Sequence, residues 1–329
     1  MRRITPPPGV WVLRSAALEA WVIPFGARLM QLWWQQAPEA ATHGPRPLSL
    51  GFADPNSYRR DRMSIGAVCG RYANRLADAR IERGGQAWSL DANHPLGHCI
   101  HGGRDGFGQQ DWTVLEHSER HIHLGLISPD GHMGFPGDCR AEVRYALDGH
   151  TLHWQATAEL SAPCPINLLQ HSYWNLDACA DLSGHRLQVS ASAYHPSDAR
   201  ELPLPAAPVV GTPFDFRAER PIPLDQIGAL DGALCLDTAP GPHGLRDAGT
   251  LRVADLALQV RTDRPLLHIY AASGLAPTEA PLGVPHAPGA GFCLETEDLP
   301  NGPALGADVW CGPDRAYRHR TALVFTPLG

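Results

Sequence analysis

Apolar and polar residues alternate through most of the stretch from Arg140 to Leu160. Apolar side chains occupy every second position up to Leu147, and the alternation resumes at Leu152. Between the two runs stands Asp148-Gly149, a pair that tolerates positive φ and favours a tight turn. Because successive side chains of a strand point to opposite faces, this pattern predicts two antiparallel strands joined as a hairpin.

Shorter apolar segments recur along the rest of the chain. They are predicted strands at Leu18–Ile23, Arg28–Trp34, Trp112–Glu116, His121–Ile127, Leu187–Ala193, Leu256–Val260, Leu266–Tyr270 and Ala322–Phe325. No amphipathic pattern is long enough for a three-turn helix, and the 33 glycines and 31 prolines fall between the segments. The chain is therefore predicted to be all-β, a large antiparallel β-sandwich that forms a single domain over residues 1–329.

The composition adds limits on partners and location. Of 329 residues, 43% are hydrophobic and 19% charged, which is enough material for a core. The net charge of −7 argues against a nucleic-acid or anionic-membrane partner. No apolar stretch is long enough for a membrane helix, and no apolar run follows the basic N-terminus as in a secretory signal. These features predict a cytoplasmic protein, either a monomer or a homodimer.

Cysteines and histidines give no sign of a metal or disulfide framework. The eight cysteines lie far apart, with no Cys-x-x-Cys spacing, and are typical of buried thiols in a reducing compartment. His121 and His123 share one face of a predicted strand without a third ligand nearby, so we interpret them as surface side chains. The chain contains no lysine, which excludes a Walker motif, and no Gly-x-Gly-x-x-Gly follows a predicted strand. No cofactor is predicted.

Two titratable residues stand at the ends of apolar runs and could exchange protons with a substrate. His171 follows Asn-Leu-Leu-Gln, and Glu295 follows Gly-Phe-Cys-Leu, 124 positions further on. An imidazole titrates near neutrality, and partial burial raises the pKa of a carboxyl group toward it. The alternatives are a core histidine bonded to a backbone carbonyl and a structural ion pair between Glu295 and an arginine.

Five segments place polar, charged or aromatic residues beside glycines and short apolar runs. They are Gly-Arg-Tyr-Ala-Asn-Arg at 70–75, His-Gly-Gly with Gly-Phe at 101–107, Asn-Leu-Leu-Gln-His-Ser-Tyr-Trp-Asn-Leu at 167–176, Gly-Thr-Pro-Phe-Asp-Phe at 211–216 and Cys-Leu-Glu-Thr at 293–296. In this order and at these separations they resemble the aldose 1-epimerase (galactose mutarotase) family. The resemblance runs from about residue 18 to 326.

The resemblance implies the fold of a galactose mutarotase-like supersandwich and an enzyme that interconverts the α and β anomers of a free hexose. It implies that His171 is the general acid toward the ring oxygen and that Glu295 is the general base toward the C1 hydroxyl. The sugar-binding residues that it implies are Asn74, Arg75, His101, Tyr173, Asp231 and His268. The expected partner is a small-molecule monosaccharide, with no metal and no cofactor.

Several residues differ from the family's pattern and leave the sugar open. Gly232 and Ala233 follow Asp231 where the family usually has His or Asn, and His268 stands near a position where Gln is frequent. Glu297 also stands where the family often has Gln, and Trp174 replaces the usual Phe. Groups that contact hydroxyls set which sugar fits, so these differences leave the substrate open between galactose and glucose.

Other functions are compatible with the same residues. A mutarotase for a sulfonated or otherwise anionic hexose would need additional cations, for which Arg71, Arg75 and His268 are the nearest candidates, and a sugar-phosphate epimerase would need a denser arginine cluster. A non-catalytic carbohydrate-binding protein would not need both His171 and Glu295. A glycosidase would pair Glu295 with a second carboxylate such as Asp231 or Glu297.

Overall fold

The computed structural model describes residues 5–36, 44–241, 243–278 and 282–328. The remaining positions of the predicted domain 1–329, which include both of its ends, lie outside the described residues. Within the described ranges the helical elements are short 3-10 segments, at Pro55–Arg60, Ala77–Ala79, Phe107–Gln109, His132–Gly134, Leu224–Ala229 and Gly302–Leu305. None of the helices in these ranges has the length and apolar character needed to cross a bilayer.

Strands make up the rest of the regular structure. In chain order they are β1 (Trp11–Arg14), β2 (Leu18–Ile23), β3 (Arg28–Trp34), β4 (Arg46–Pro47), β5 (Ala67–Cys69), β6 (Arg75–Leu76), β7 (Arg80–Arg83), β8 (Gln86–Ser89), β9 (Cys99–Ile100), β10 (Thr113–His117), β11 (His121–Ser128), β12 (Cys139–Asp148), β13 (Thr151–Leu160), β14 (Cys164–Pro165), β15 (Leu169–His171), β16 (Tyr173–Trp174), β17 (Arg186–Val189), β18 (Ala191–His195), β19 (Ala207–Pro208), β20 (Arg220–Pro221), β21 (Asp231–Leu236), β22 (Arg246–Arg252), β23 (Leu256–Thr262), β24 (Leu266–Tyr270), β25 (Phe292–Glu297), β26 (Trp310–Cys311) and β27 (Tyr317–Pro327).

Two large antiparallel sheets dominate this arrangement. The nine-stranded sheet has the order β10-β11-β12-β13-β27-β23-β22-β17-β20, and the six-stranded sheet has the order β16-β25-β24-β21-β18-β19. A four-stranded sheet, β1-β2-β3-β4, packs beside them, and four two-stranded ribbons complete the set. The predicted all-β antiparallel architecture is thereby confirmed.

The hairpin predicted from alternation is present as β12 and β13. Val143 lies opposite Ala156 and Tyr145 opposite Trp154 in an antiparallel register that continues to the turn. Buried and more exposed residues alternate along both strands, because one face covers the core and the other meets solvent. Three shorter predictions, β2, β3 and β24, have the bounds expected from their apolar runs.

The predicted strand Leu187–Ala193 was wrong as a single element. Ser190 divides it into β17, which pairs with β22 of the nine-stranded sheet, and β18, which pairs with β21 of the six-stranded sheet. The Ser190 N–H donates to the Ala248 carbonyl, while its own carbonyl accepts from Asp237. Alternation continues across such a crossing, so the change of sheet leaves no mark in the hydrophobic pattern.

The two large sheets face each other across one hydrophobic core. Leu294 of β25 and Ile269 of β24 join the same buried cluster as Phe325 of β27. Thr296 Oγ1 lies 2.9 Å from His319 Nε2 and so joins β25 to β27 directly. Because side chains alternate, the residues between these core positions on β24 and β25 point away from the nine-stranded sheet. This outer face of the six-stranded sheet carries the candidate site.

A buried ion pair holds the loop beside that face. The Arg28 guanidinium donates to Asp61 Oδ2 at 2.7 Å and to the Ile65 and Gly108 carbonyls at 2.8 and 2.9 Å. The Asp61 carboxylate accepts in turn from the N–H groups of Met63 and Ile65, both at 2.8 Å. The ion pair therefore fixes the backbone of residues 61–65, and both of its side chains are almost inaccessible to solvent.

We expect Arg28→Met to lower the free energy of unfolding by about 3–5 kcal/mol, because it leaves the buried Asp61 carboxylate without its cation. Urea unfolding followed by fluorescence measures the change. Arg261→Met is the matched control, since Arg261 pairs with Asp247 at 2.9 Å on the solvated surface. The control substitution should lower the free energy of unfolding by less than about 1 kcal/mol. Equal losses of unfolding free energy in both variants would contradict a special role for the buried pair.

Candidate active site

A cavity of about 420 Å³ opens on the outer face of the six-stranded sheet. Its wall combines side chains of β15, β16, β21, β24 and β25 with the ribbon β6–β9 at residues 74–75 and 100–101 and with loops around residues 62–64 and 273–274. All eight residues that the sequence proposed as catalytic or sugar-binding line this one space: Asn74, Arg75, His101, His171, Tyr173, Asp231, His268 and Glu295.

Strand register explains how residues so distant in sequence meet. In the antiparallel pair β16–β25, Tyr173 lies opposite Cys293, and the same register continued by two residues sets His171 opposite Glu295. His268 of β24 is the direct partner of Glu295 on its other side. All of these side chains project from the outer face, because core positions alternate with them along each strand.

His171 and Glu295 form a buried pair. His171 Nε2 lies 3.4 Å from Glu295 Oε1, and both side chains are almost fully buried. The other ring nitrogen of His171, Nδ1, lies 3.7 Å from Cys293 Sγ. Among the described residues, the ion-pair contact of Glu295 is with this histidine, so the alternative of a structural pair with an arginine finds no support.

Burial shifts the two groups in opposite directions. Loss of solvation lowers the pKa of His171 to about 4 and raises the pKa of Glu295 to about 8. Both shifts have the same cause, since each group is disfavoured in its charged form when water is excluded. At neutral pH the pair therefore holds one proton in total. A pair that shares a single proton can accept a proton from one ligand atom while it donates a proton to another.

His101 presents a neutral donor beside this pair. Its ring lies edge-on to the His171 ring, with 5.3 Å between centroids. Burial, reinforced by the neighbouring His171 and Arg75, lowers its pKa well below the usual value. The Asn74 backbone N–H donates to His101 Nδ1 at 3.3 Å, so the neutral ring carries its proton on Nε2. That N–H is free to donate to a ligand oxygen.

His268 is held between two carboxylates. Its Nε2 lies 2.7 Å from Asp231 Oδ1, and its Nδ1 lies 3.1 Å from Glu297 Oε1. Burial opposes the charged ring, but the two hydrogen bonds and the two negative charges prevail and raise the pKa of His268 well above its usual value. Both ring nitrogens then act as donors, and His268 is an imidazolium in the cavity wall.

The carboxylates of this clamp differ in their surroundings. Burial raises the pKa of Glu297, which is inaccessible to solvent, although His268 and Asn167 oppose the shift. Asp231 faces the cavity and is 39% exposed, and its pKa is lowered because the hydrogen bond and charge of His268 outweigh burial. Glu297, which the sequence offered as a second carboxylate for a glycosidase, is thus a buried structural partner of His268.

Arg75 crosses the rim of the cavity. Its guanidinium donates to Glu201 at 2.5 Å and lies 3.8 Å from Asp231. Glu201 also lies 3.3 Å from His94 Nε2, so this loop residue connects two sides of the opening. Glu201 has a φ of 61°, a left-handed conformation that is uncommon outside glycine. The Asp198 side chain stabilises the turn by accepting from the Arg200 and Leu202 N–H groups.

Sequence reasoning missed several cavity residues. They include Arg62, Met63, Glu201, Tyr270 and Ser273. Tyr270 was predictable from the sequence, because it stands two positions after His268 on one strand and so shares its face. Arg62 and Glu201 come from irregular loops, where no periodic signal marks a side chain as lining a cavity.

Other residues that the sequence singled out lie outside the cavity and have structural contacts. Arg71, considered as a cation for an anionic sugar, does not line the cavity; its buried guanidinium donates to the carbonyls of Ser128, Pro136 and Gly137. Trp174 lies on the core side of β16, against Phe325. His121 and His123 pair with Glu116 and Glu142.

One group in the described part of the chain has the donor atoms of a metal site: His171, Cys293 and Glu295. The set coincides with the proton-sharing pair, and burial raises the pKa of the Cys293 thiol well above its usual range. A metal would first have to remove that thiol proton. The eight cysteines are free thiols, and six of them are buried as the sequence predicted, whereas Cys179 is exposed and Cys235 is half-buried.

Comparison with known proteins identifies the family of the chain. The family model described as "Aldose 1-epimerase" matches residues 9–323. The aldose 1-epimerase of Escherichia coli K12 is 34% identical over 282 residues, covering 82% of this chain and 80% of the relative. The galactose mutarotase of Homo sapiens is 33% identical over 295 residues, covering 84% and 83%.

Solved structures show the same architecture. An aldose epimerase homologue from C. elegans superposes with a TM-score of 0.88 at 24% identity, covering 98% of this chain and 99% of its own. Galactose 1-epimerase from Lactobacillus acidophilus gives a TM-score of 0.83 at 25% identity, covering 97% and 94%. The chain belongs to the aldose 1-epimerase family, and it is an enzyme of the isomerase class.

The clamp around His268 predicts a strong energetic coupling. We expect His268→Gln to destabilise the fold by about 3 kcal/mol, because Glu297 loses its cation while buried. The double variant His268→Gln/Glu297→Gln should recover most of this loss, since two neutral amides need no counter-charge. Urea unfolding of the wild type, both single variants and the double variant gives the coupling energy. Additive losses would contradict the clamp.

Proposed function

We propose that the protein is a mutarotase that interconverts the α and β anomers of a free hexopyranose of the galactose or glucose type. The observation that carries this proposal is the buried pair of His171 and Glu295, 3.4 Å apart in a cavity of about 420 Å³. Mutarotation needs one proton removed from O1 and one delivered to the ring oxygen, and this pair can do both. The family membership and the names of the relatives, aldose 1-epimerase and galactose mutarotase, support the same reaction.

In the proposed mechanism Glu295 takes the proton of the C1 hydroxyl while His171 protonates the ring oxygen. The bond between C1 and the ring oxygen breaks, and C1 becomes an aldehyde. Rotation about the C1–C2 bond exposes the other face of the carbonyl. Ring closure then reverses both proton transfers, so the enzyme returns to its starting state. Each positioned group contributes about 10²–10⁴-fold to the rate.

The pair's single proton must be on the right residue when the sugar arrives. In the empty site the directions of the two pKa values put it on Glu295, which is also the state that ring opening leaves behind. A bound cyclic sugar donates its C1 hydroxyl to Glu295 and so stabilises the carboxylate. This hydrogen bond moves the proton to His171.

The remaining wall residues would hold the sugar in place. Asp231 and Glu201 supply acceptors for hydroxyl groups, while Arg75 and the Nε2–H of His101 supply donors. Tyr173 stacks against the His171 ring at 5.1 Å between centroids, which fixes the orientation of the imidazole. His268 holds Asp231, so it acts on the sugar through that carboxylate as well as through its charge.

A non-catalytic sugar-binding protein would have no use for the buried pair. Enclosing a carboxyl group and an imidazole without water costs stability, and a binding site could use neutral amides instead. The shifted pKa values of both groups, inside the cavity that holds the sugar-binding candidates, therefore favour catalysis over binding alone.

We expect Glu295→Gln to lower kcat for anomer exchange by about 10²–10⁴-fold, because an amide cannot take the O1 proton. Exchange NMR or polarimetry on pure anomers of galactose and glucose measures the rate. Glu159→Gln, on the solvated face of β13, is the control and should retain full activity. Unchanged rates in Glu295→Gln would reject the assignment of the base.

The pH dependence follows from the shared proton. The pair is active while it holds one proton, so kcat/KM should be highest between the pKa values of about 4 and about 8. Below the lower value a second proton protonates His171 while Glu295 is already neutral, and no base remains. Above the upper value both groups are deprotonated, and no acid remains. Rates corrected for buffer-catalysed exchange that continue to rise well above pH 8 would contradict the shared-proton mechanism.

A further inference from the structure

A second cavity of about 400 Å³ adjoins the candidate active site. The two spaces share four wall residues: Arg62, Ser64, Ile100 and His101. Ser64 and His101 in this shared wall have φ values of 54° and 51°, so their backbone is held in the left-handed region. The first cavity, at about 420 Å³, is of similar size. The second cavity, called the second compartment below, therefore meets the first along this shared wall.

The second compartment is rich in hydrogen-bond donors. Arg104 lines it and is 71% exposed; its Nε donates to Asp91 at 2.8 Å, which leaves its terminal nitrogens available. Arg62, at the boundary, makes no ion pair within the ranges that the structure describes. Gln109 adds a neutral amide. None of the described residues that line this compartment is acidic.

The order of groups around the wall sets which end of a sugar faces the second compartment. Glu295 would lie at O1, and His171, 3.4 Å away, would lie at the ring oxygen. His101 follows His171 at 5.3 Å between ring centroids. In a pyranose the ring oxygen is followed by C5 and its exocyclic C6. The C6 group would therefore point toward His101, beyond which the second compartment begins.

We propose that the second cavity is a subsite for a second sugar ring, so that the preferred substrate is a reducing disaccharide linked through C6 of its reducing hexose. This proposal rests on the proposed mutarotase function, which places the reducing end in the first cavity. Arg62, Arg104 and Gln109 would donate to hydroxyl and ring oxygens of the second sugar.

Size and charge favour a neutral ring over a small anion in this subsite. A compartment nearly as large as the first cavity leaves most of its volume empty around a phosphate or sulfonate group. Arg104 is also neutralised in part by Asp91, so the compartment is not a dense cationic cluster. A pyranose ring fills such a volume and uses scattered donors along its edge.

The test compares sugars that differ only in where a second ring is attached. We expect kcat/KM for anomer exchange of a 1→6-linked disaccharide of glucose to exceed that of glucose by roughly tenfold, the equivalent of one or two added hydrogen bonds. The 1→4-linked isomer, whose second ring projects from another edge, should show no such gain. Glucose 6-phosphate is included as the anionic probe.

Arg104→Trp is the informative variant, because Arg104 lines the second compartment and not the first. The bulky side chain should abolish the advantage of the 1→6-linked disaccharide and leave exchange of glucose within about twofold of wild type. Arg140→Trp, at an exposed ion pair on the nine-stranded sheet, is the matched control and should change neither rate. Equal rates for glucose and the 1→6-linked disaccharide in wild type would overturn the proposal, and so would a gain confined to glucose 6-phosphate.

A second measurement separates this proposal from the proposed function. Saturation-transfer NMR reports binding of each sugar to the wild type and to Arg104→Trp without any need for turnover. If no sugar shows accelerated exchange, the mutarotase function fails. In that case, binding of the 1→6-linked disaccharide that is lost in Arg104→Trp would still support the subsite, and binding that is unaffected by the variant would reject it.

Discussion

The hydrogen-bonded ladder of β16, β25 and β24 is the constraint on which the site depends. Its register sets Tyr173 opposite Cys293 and His268 opposite Glu295, and its continuation brings His171 beside Glu295. Each strand buries its alternate residues against the nine-stranded sheet, so a slip by one residue would turn the cavity-facing side chains into the core. Core packing therefore enforces the geometry of the site, even though the core residues never touch a ligand.

Burial then shifts the pKa values of the side chains that the strands bring together. Glu295 and Glu297 stand two residues apart on one strand face, yet their neighbours give them different roles. Glu297 is locked onto His268, whereas Glu295 meets His171 at the cavity wall. The imidazolium of His268 lies between Glu297 and Asp231, so its charge balances these two acidic side chains within a small space. A neutral residue at position 268 would leave that negative charge uncompensated.

Much of this was predictable from the sequence, and the failures have physical reasons. Alternation located the β12–β13 hairpin, and the resemblance nominated eight residues that now line one cavity. The crossing at Ser190 was missed because alternation continues when a chain passes between sheets. Arg62 and Glu201 were missed because loop side chains have no period, and Arg71 was considered for a ligand although its guanidinium binds backbone carbonyls.

The sequence by itself determined the all-β character and the antiparallel pairing within hairpins. These follow from local patterns, which are set by side-chain period and turn chemistry over a few residues. Only the tertiary structure decided that His171 and Glu295 share one proton, that His268 is charged and that a second compartment adjoins the first. Those properties arise from distance, desolvation and the shape of the space between loops, and they depend on residues that only the folded chain brings together, such as His171 and Glu295, which are 124 positions apart.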